Sequence, residues 1–413
     1  MLRFIISLIL SLCLLLPLQA LSLRTDSILP EDAVTPDTIA DETEAIDPLP
    51  TRLLKLLNND IFDRTQVGIY VYDLTVDTLV FTYHERQCMR PASNQKIMTA
   101  ITALHTLGCD YQLRTRLYID AEPAQTDSLY SGHIYIRAGY DPLFDNDDLN
   151  AFAQALKERG IQRLASPIRL DLTFKDNKRW GWGWCWDDDE VPLTPLLYRN
   201  SDQFVEHLRR VFHNQGIEWD GATEEHATPS HATLICTRSH SIDQVLLPML
   251  KKSNNSMAEA LFYHIAAHGE ERLGVGRKQA VAYYNNLIRN VGLNPSHYQI
   301  ADGSGLSLYN YLTPELLGHM LRFAYNHNNI YSHLHPALPI AGQDGTLRKR
   351  MRGSTAEGNV YAKTGTVEGV STLSGYCTAA TGNVLCFSIM NQGIRHTSTG
   401  RNFQDRVCRA LTK

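Results

Sequence analysis

Cysteine is scarce in this chain, with 8 in 413 residues, and Cys13 lies inside an N-terminal apolar run. The others, Cys88, Cys109, Cys185, Cys236, Cys377, Cys386 and Cys408, are odd in number and far apart. That excludes a disulfide-built scaffold. Only Cys377 and Cys386 are placed so that they could pair, because they flank the turn Ala379-Ala380-Thr381-Gly382, and the sequence leaves their state open. An excess of basic charge is also missing: 39 Lys and Arg face 44 Asp and Glu, a formal charge of -5. Without a basic footprint, nucleic acid is not an expected partner. No fixed-period repeat is visible, which argues against a solenoid or propeller. The zinc motif H-E-x-x-H is absent as well. His264-Ile265-Ala266-Ala267-His268 has the i, i+4 spacing, but Ile265 stands where the glutamate is needed and no third ligand is evident. The two histidines are expected on a helix surface, and neither a metal nor another cofactor is expected.

The first 22 residues read as a cleavable signal peptide. Arg3 supplies a positive charge, Phe4 to Leu18 is almost wholly apolar, and Ala20 and Ser22 make an A-x-S cleavage pattern. The apolar run is shorter than the ~20 residues that span a bilayer, so no membrane span is expected after cleavage. An uncleaved anchor is the alternative. Residues 23–50 form an expected acidic, disordered linker, in which Pro30 to Pro50 carries seven Asp or Glu and no Lys or Arg. Export implies a periplasmic or other extracytoplasmic location. What remains is long enough to bury a large core and a smaller second one.

Hydrophobic periodicity divides the folded chain in two. Val67 to Asp73 and Leu79 to Tyr83 alternate as a β-hairpin, and a helix begins behind Pro91. From Tyr111 the character changes. Strand-like runs alternate with helices at Asp147 to Arg159 and Asp202 to Gln215, around the loop Trp180-Gly181-Trp182-Gly183-Trp184-Cys185-Trp186. The tryptophans are expected to pack between domains, with a sugar or peptide platform as the second reading. Helices return beyond Ile242, and three strand-like runs close the fold at Val360 to Thr366, Ser371 to Cys377 and Val384 to Met390. The expected class is α/β (α+β): an antiparallel sheet between helices, built from residues 51–110 and 240–413. A smaller α/β domain of residues 111–239 is inserted in it.

Three motifs carry chemistry. Ser93 and Lys96 lie one helical turn apart, so both project from the same face at a helix start. Unpaired backbone N–H groups and partial positive charge gather there. A serine in that place can act as nucleophile with the lysine as its base. Alone, an S-x-x-K could be an ordinary helix start. Ser253-Asn254-Asn255 lies between two helices and could be a simple cap. Lys363-Thr364-Gly365 lies on a strand, followed by Thr366.

In the order S-x-x-K, S-x-N, K-T-G, the three form the signature of penicillin-recognising serine enzymes. The chain resembles the D-alanyl-D-alanine carboxypeptidases/endopeptidases of the low-molecular-mass class C penicillin-binding proteins. The likeness extends to Gly139-Tyr140-Asp141-Pro142-Leu143, the Trp-Asp-Asp run, Ala258-Glu259, Asp302 to Ser307, Gly342 to Leu347 and Ser374-Gly375-Tyr376. It implies a β-lactamase/transpeptidase-like fold that cleaves peptidoglycan stem peptides through an acyl-enzyme on Ser93, with β-lactam antibiotics as inhibitors. Lys96 would take the serine proton, its pKa lowered by burial and by the nearby Lys363 cation. Ser253 would relay the proton to the leaving amine, and Asn255 would hold Lys96 or a substrate carbonyl. The backbone N–H groups of Ser93 and Thr366 would form the oxyanion hole. Gly365 would let an extended peptide pair with the strand edge. Thr364 would help bind the substrate's terminal carboxylate.

Two other readings share parts of this pattern. A serine β-lactamase carries all three motifs but needs a deacylating glutamate, typically in Glu-x-x-Leu-Asn. The nearest stretch, Asp147-Asp148-Leu149-Asn150, has the wrong leading residue. A non-catalytic peptidoglycan-binding protein would not require Lys96 and Ser253 together.

Overall fold

The computed structural model describes residues 47–123, 129–188, 190–270 and 272–413. The expected signal peptide and residues 23–46 of the expected linker lie outside them. Along the chain come helix α1 (Leu49–Leu57), strands β1 (Gln66–Asp73) and β2 (Thr78–Tyr83), and helix α2 (Gln95–Leu107). Next are β3 (Gln112–Ile119), β4 (Leu129–Tyr130), β5 (Ile134–Arg137), α3 (Asn146–Glu158), β6 (Arg163–Leu164), β7 (Ile168–Asp171), α4 (Phe204–Asn214), β8 (Thr223–Glu225) and β9 (Thr233–Ser241). Five helices follow: α5 (Ile242–Lys251), α6 (Asn255–Ala267), α7 (Arg277–Asn290), α8 (Pro314–Asn326) and α9 (Asn328–Ala337). The chain ends with β10 (Tyr361–Val367), β11 (Val370–Thr378), β12 (Val384–Gln392) and α10 (Thr397–Leu411).

Both ends of the described chain meet in one antiparallel sheet of order β10-β11-β12-β1-β2. The N-terminal hairpin joins the C-terminal strands through β1 and β12, with Ile69 opposite Ile389. Side chains of a strand alternate between faces, and here each face has a core of its own. Tyr70, Tyr72, Cys386 and Met390 pack with α2, α6 and α8. Ile69, Val71, Leu385, Phe387 and Ile389 pack with residues of α1 and α10. Helix α2 is buried continuously from Gln95 to Leu104, so it is an interior helix.

A second sheet, of order β8-β7-β5-β3-β9, comes from residues 112–241. Strand β3 alternates strictly between half-buried and buried positions, the pattern of a sheet with one covered face. Helices α3 and α4 supply the cover through Phe152, Leu156, Leu208 and Phe212. Residues 47–413 nonetheless cluster as a single compact unit.

Besides the short strands β4, β6 and β8, two longer elements were not anticipated. Strand β9 carries four exposed residues and no clean alternation, so its sequence lacks the strand signature. Helix α9 opens on Asn328-Asn329 and holds Pro336 in its last turn, residues that read as loop. Cys377 and Cys386 are not paired, and every cysteine among the described residues is free. Their registers are Cys377 opposite Leu385 and Tyr376 opposite Cys386. The one-residue offset puts the two thiols on opposite faces of the sheet, in different cores.

Candidate active site

Ser93 sits in a 3-10 turn, Ala92–Asn94, that leads directly into α2. Ala92 adopts φ 45°, a left-handed conformation that is costly for a residue with a Cβ. The surroundings hold it there. The Pro91 carbonyl accepts from Thr372 Oγ1 at 2.8 Å. On the other side lies Gly305, itself at φ 83°, where a Cβ would come within 1.9 Å of the Ala92 carbonyl oxygen. The serine turn is thus clamped between β11 and the segment Asp302–Ser307.

Lys96 is fully buried, and its ammonium donates to three acceptors: Ser93 Oγ at 2.9 Å, Asn255 Oδ1 at 2.6 Å and the Ser304 carbonyl at 2.7 Å. None of the three is a carboxylate. Burial therefore pulls the ammonium down to about 8, while the fields of Asp302, Glu259 and Glu190 act in the opposite direction. Asn255 enters from the first position of α6. The preceding residue, Asn254, is that helix's N-cap and accepts from Met257 N–H. Asn and Asp cap equally well, which explains why an asparagine suffices between Ser253 and Asn255.

Lys363, also fully buried, donates to Ser253 Oγ at 2.9 Å and to the Thr364 carbonyl at 2.7 Å. Ser253 is held at φ 60° just before the cap. Burial first, and then the Lys96 charge, lower the Lys363 ammonium well below its ordinary value. At Lys96 burial is the lowering cause and the nearby carboxylates oppose it; the expected Lys363 contribution is not seen there, and the lysine–lysine repulsion shows at Lys363, second to burial. Strand β10 is an edge strand. A Cβ on Gly365 would lie 2.7 Å from the Pro91 carbonyl oxygen and 3.0 Å from Ser93 N. The space this glycine leaves is filled by the serine turn, not left open for a peptide. Thr364 Oγ1 donates to Thr346 Oγ1 at 2.7 Å on the outer side, and Thr366 is exposed.

All eight residues singled out from the sequence therefore belong to one seam. Ser93, Lys96 and Asn255 form one hydrogen-bonded group and Lys363 with Ser253 a second, while Thr364, Gly365 and Thr366 lie along β10. The arrangement offers a half-buried hydroxyl beside a base-capable amine, and a second hydroxyl beside a second cation. That is the equipment of acyl transfer.

Comparison with known proteins agrees. Residues 50–196 and 191–413 match the D-Ala-D-Ala carboxypeptidase 3 (S13) family. The chain belongs to that family. It is 24% identical over 435 residues to a D-alanyl-D-alanine carboxypeptidase of Actinomadura sp. (strain R39), covering 82% of this chain and 80% of that one. It is also 24% identical over 430 residues to D-alanyl-D-alanine carboxypeptidase DacB of Haemophilus influenzae, at 83% and 88% coverage. Among solved structures, penicillin binding protein 4 (dacB) of H. influenzae superposes with a TM-score of 0.75 at 21% identity, over 87% of this chain and 98% of that one. A predatory endopeptidase of Bdellovibrio bacteriovorus superposes with a TM-score of 0.55 at 16% identity, over 83% and 91%. These structural likenesses share the penicillin-recognising fold.

This S13 enzyme builds its seam on further residues outside the three motifs. Glu259, fully buried one turn after Asn255, accepts from Gly303 N–H at 3.1 Å and Ser304 N–H at 2.8 Å. It thereby holds the segment whose Ser304 carbonyl accepts a hydrogen bond from Lys96. Burial pushes the Glu259 carboxyl up to about 8, and the adjacent Asp302 adds to this. Asp302 accepts from Gly305 N–H, Ser307 N–H, Asn310 Nδ2 and Trp184 Nε1. Glu190, just beyond the tryptophan loop, accepts from Asn255 Nδ2. Glu259 and Asp302 lie in the stretches Ala258-Glu259 and Asp302 to Ser307 that carried the family resemblance, and Glu190 follows the Trp-Asp-Asp run, but sequence alone assigns none of the three a role.

The tryptophans depart from expectation. Trp180, Trp182 and Trp186 are 58%, 44% and 97% exposed, so only Trp184 is substantially packed. The histidine pair departs too. His264 is buried, not on the helix surface, and meets Tyr111 OH at 2.7 Å and the Tyr140 carbonyl at 3.3 Å. His268 stacks on Tyr283. Among the described residues no group of three or more His, Cys, Asp or Glu could hold a metal ion.

Proposed function

We propose that this S13 enzyme is a serine D-Ala-D-Ala carboxypeptidase and D,D-endopeptidase that cleaves peptidoglycan stem peptides through an acyl-enzyme on Ser93. One observation carries the assignment of roles: Lys96 Nζ lies 2.9 Å from Ser93 Oγ, buried and hydrogen-bonded only to neutral acceptors. Such an amine gives up its proton more readily than a solvated one, and can take the serine proton as Oγ attacks the amide carbonyl. The carbonyl oxygen would sit between the N–H groups of Ser93 and Thr366. The leaving amine would take its proton from Ser253, with Lys363 replenishing that hydroxyl. Asn255 fixes Lys96 rather than substrate. Lys363 is too deeply buried to meet an anion directly. The terminal carboxylate would meet the Thr364 and Thr346 hydroxyls, with Lys363 contributing its field from beneath. In this reading residues 51–110 and 240–413 make the catalytic domain and residues 111–239 an inserted one. The enzyme works outside the cytoplasm, after removal of the N-terminal signal, and β-lactams inhibit it by acylating Ser93.

Labelled penicillin and intact-mass analysis test this. The wild-type protein is expected to carry one adduct and Ser93→Ala none; an adduct on the variant would remove Ser93 from the role. Release of D-alanine from a D-alanyl-D-alanine peptide, absent in Ser93→Ala, tests the reaction itself. A slower reaction on the peptide amidated at its terminus, by roughly ten- to hundredfold for one charge-assisted contact, tests the anion site.

A further inference from the structure

Acylation solves half of the reaction. The ester on Ser93 must then be hydrolysed, and the attacking water must lose a proton to some acceptor. Lys96 as an ammonium is badly placed to be that acceptor. Its three N–H donors are matched by three bonded oxygens, on Ser93, Asn255 and Ser304, and an ammonium has no lone pair. The serine hydroxyl on Lys363 stands on the leaving-group side of the site.

Asn255 identifies another candidate. Its Oδ1 accepts from Lys96, so its Nδ2 must point to the opposite side, and there it donates to Glu190 Oε1. The orientation of the amide is thereby settled from both ends. A single asparagine side chain separates Glu190 from the lysine that touches Ser93. The carboxylate is close enough for its charge to act on Lys96. Glu190 is half-buried, as are Ser93 and Asn255, whereas Lys96 and Lys363 are completely enclosed. Solvent can therefore reach both the carboxylate and the serine, while the two lysines are closed to it. Glu190 comes from the loop after the tryptophan run, not from any of the three motifs.

We propose that Glu190 is the general base of deacylation. The inference rests on the acyl-enzyme reading above and deepens it. A water held between Glu190 and the Ser93 ester gives one proton to the Glu190 carboxylate while its oxygen bonds to the acyl carbon. The tetrahedral intermediate collapses with cleavage of the bond between Ser93 Oγ and that carbon. Ser93 Oγ takes a proton from the Lys96 ammonium, and the peptide leaves as a carboxylic acid. Transfer of the proton on Glu190 to Lys96 restores both groups. In a β-lactam adduct the leaving group remains tethered in the site and stands in the way of the water, so the same base does not clear the inhibitor quickly.

Glu190→Gln keeps an oxygen for Asn255 Nδ2 and removes the base. The substrate is a depsipeptide in which D-lactate replaces the terminal D-alanine, so that acylation is fast and deacylation governs turnover. The variant is expected to accumulate an acyl-enzyme visible by intact mass and to turn over about a hundredfold or more slowly. Its acylation by labelled penicillin is expected to stay within about threefold of wild type, since that step does not need the base. Hydroxylamine, a nucleophile that needs little base assistance, is expected to restore release of the acyl group. Turnover equal to wild type would overturn the proposal. So would loss of penicillin acylation in proportion to turnover, which would make Glu190 a support for Asn255 only. A wild-type protein that never becomes acylated would instead overturn the acyl-enzyme reading itself.

Discussion

The protein buries two clusters of ionisable side chains, and they are neutralised in opposite ways. Behind the second sheet, His240 Nδ1 meets the buried Asp141 carboxylate at 2.6 Å, and Arg238 meets Asp148 at 2.7 Å. Each charge there faces an opposite one. In the seam, Lys96 and Lys363 are buried to completion and touch only hydroxyls, an amide and carbonyls. Ion pairing ties β9 to the loop at Tyr140 and raises the His240 pKa, and at Asp141 the His240 contact opposes the upward push of burial. In the second, burial outweighs the carboxylate fields that act on Lys96 without touching it, and both ammonium pKa values fall. The contrast shows that a buried charge is perturbed most where no counter-ion is in direct contact with it.

The sharpest way to break this comparison is to remove the seam's lysine. Lys96→Met is expected to slow penicillin acylation by about 10²–10⁴-fold, the usual worth of a positioned base. It is also expected to raise unfolding stability at pH 7 by about 0.5–2 kcal/mol, because a strained buried cation disappears. The sign follows from the lowered folded pKa. The native state penalises the charged form, so the gain is present below about 8 and fades as pH rises toward the ordinary value of 10.5. Denaturant titration of both proteins at pH 7 and pH 10 checks it; destabilisation at pH 7 would mean that Lys96 is compensated after all.

The pH profile of acylation comes next. The reactive form of Lys96 is neutral, so its fraction grows with pH. The rate constant for penicillin attachment is expected to rise about tenfold per unit below pH 8 and to level off above it. A flat profile from pH 6 to 9 would assign the base elsewhere.

A backbone change probes the clamp around the serine. Gly365→Ala places a methyl 2.7 Å from the Pro91 carbonyl oxygen and 3.0 Å from Ser93 N. It is expected to slow acylation by about tenfold at a cost of about 1–3 kcal/mol in stability. Unchanged kinetics would show that β10 can retreat without disturbing Ser93.

The paired cluster should respond in the opposite sense. Asp141→Asn is expected to lower stability by about 2–4 kcal/mol at pH 6 and to leave acylation per folded molecule unchanged. The Asp141 hydrogen bond raises the His240 pKa in the fold. That contribution is therefore complete below the ordinary histidine value of 6.5 and is lost as pH rises through the raised one. The gap between variant and wild type is expected to narrow at pH 9. The smallest effect is expected from EDTA, which should leave D-alanine release unaltered.

The sequence by itself determined the parts of this protein that depend on short-range chemistry. Alternation in Val67–Asp73 and the strand-like run Val384–Met390 marked strands, and the spacing of Ser93 and Lys96 placed two side chains on one helical face. The order of three motifs singled out the residues that meet in the seam, since each motif is local and carries its own geometry. Only the tertiary structure decided what surrounds them. Register, not spacing, separated Cys377 from Cys386, and packing buried His264 while leaving Trp186 exposed. Glu190, Glu259 and the Ser304 carbonyl reach the seam from three separate stretches of chain. Nothing in a single Glu or Ser announces such a meeting. The energy of a buried charge depends on everything within a few ångströms of it, and those neighbours are brought together by folding.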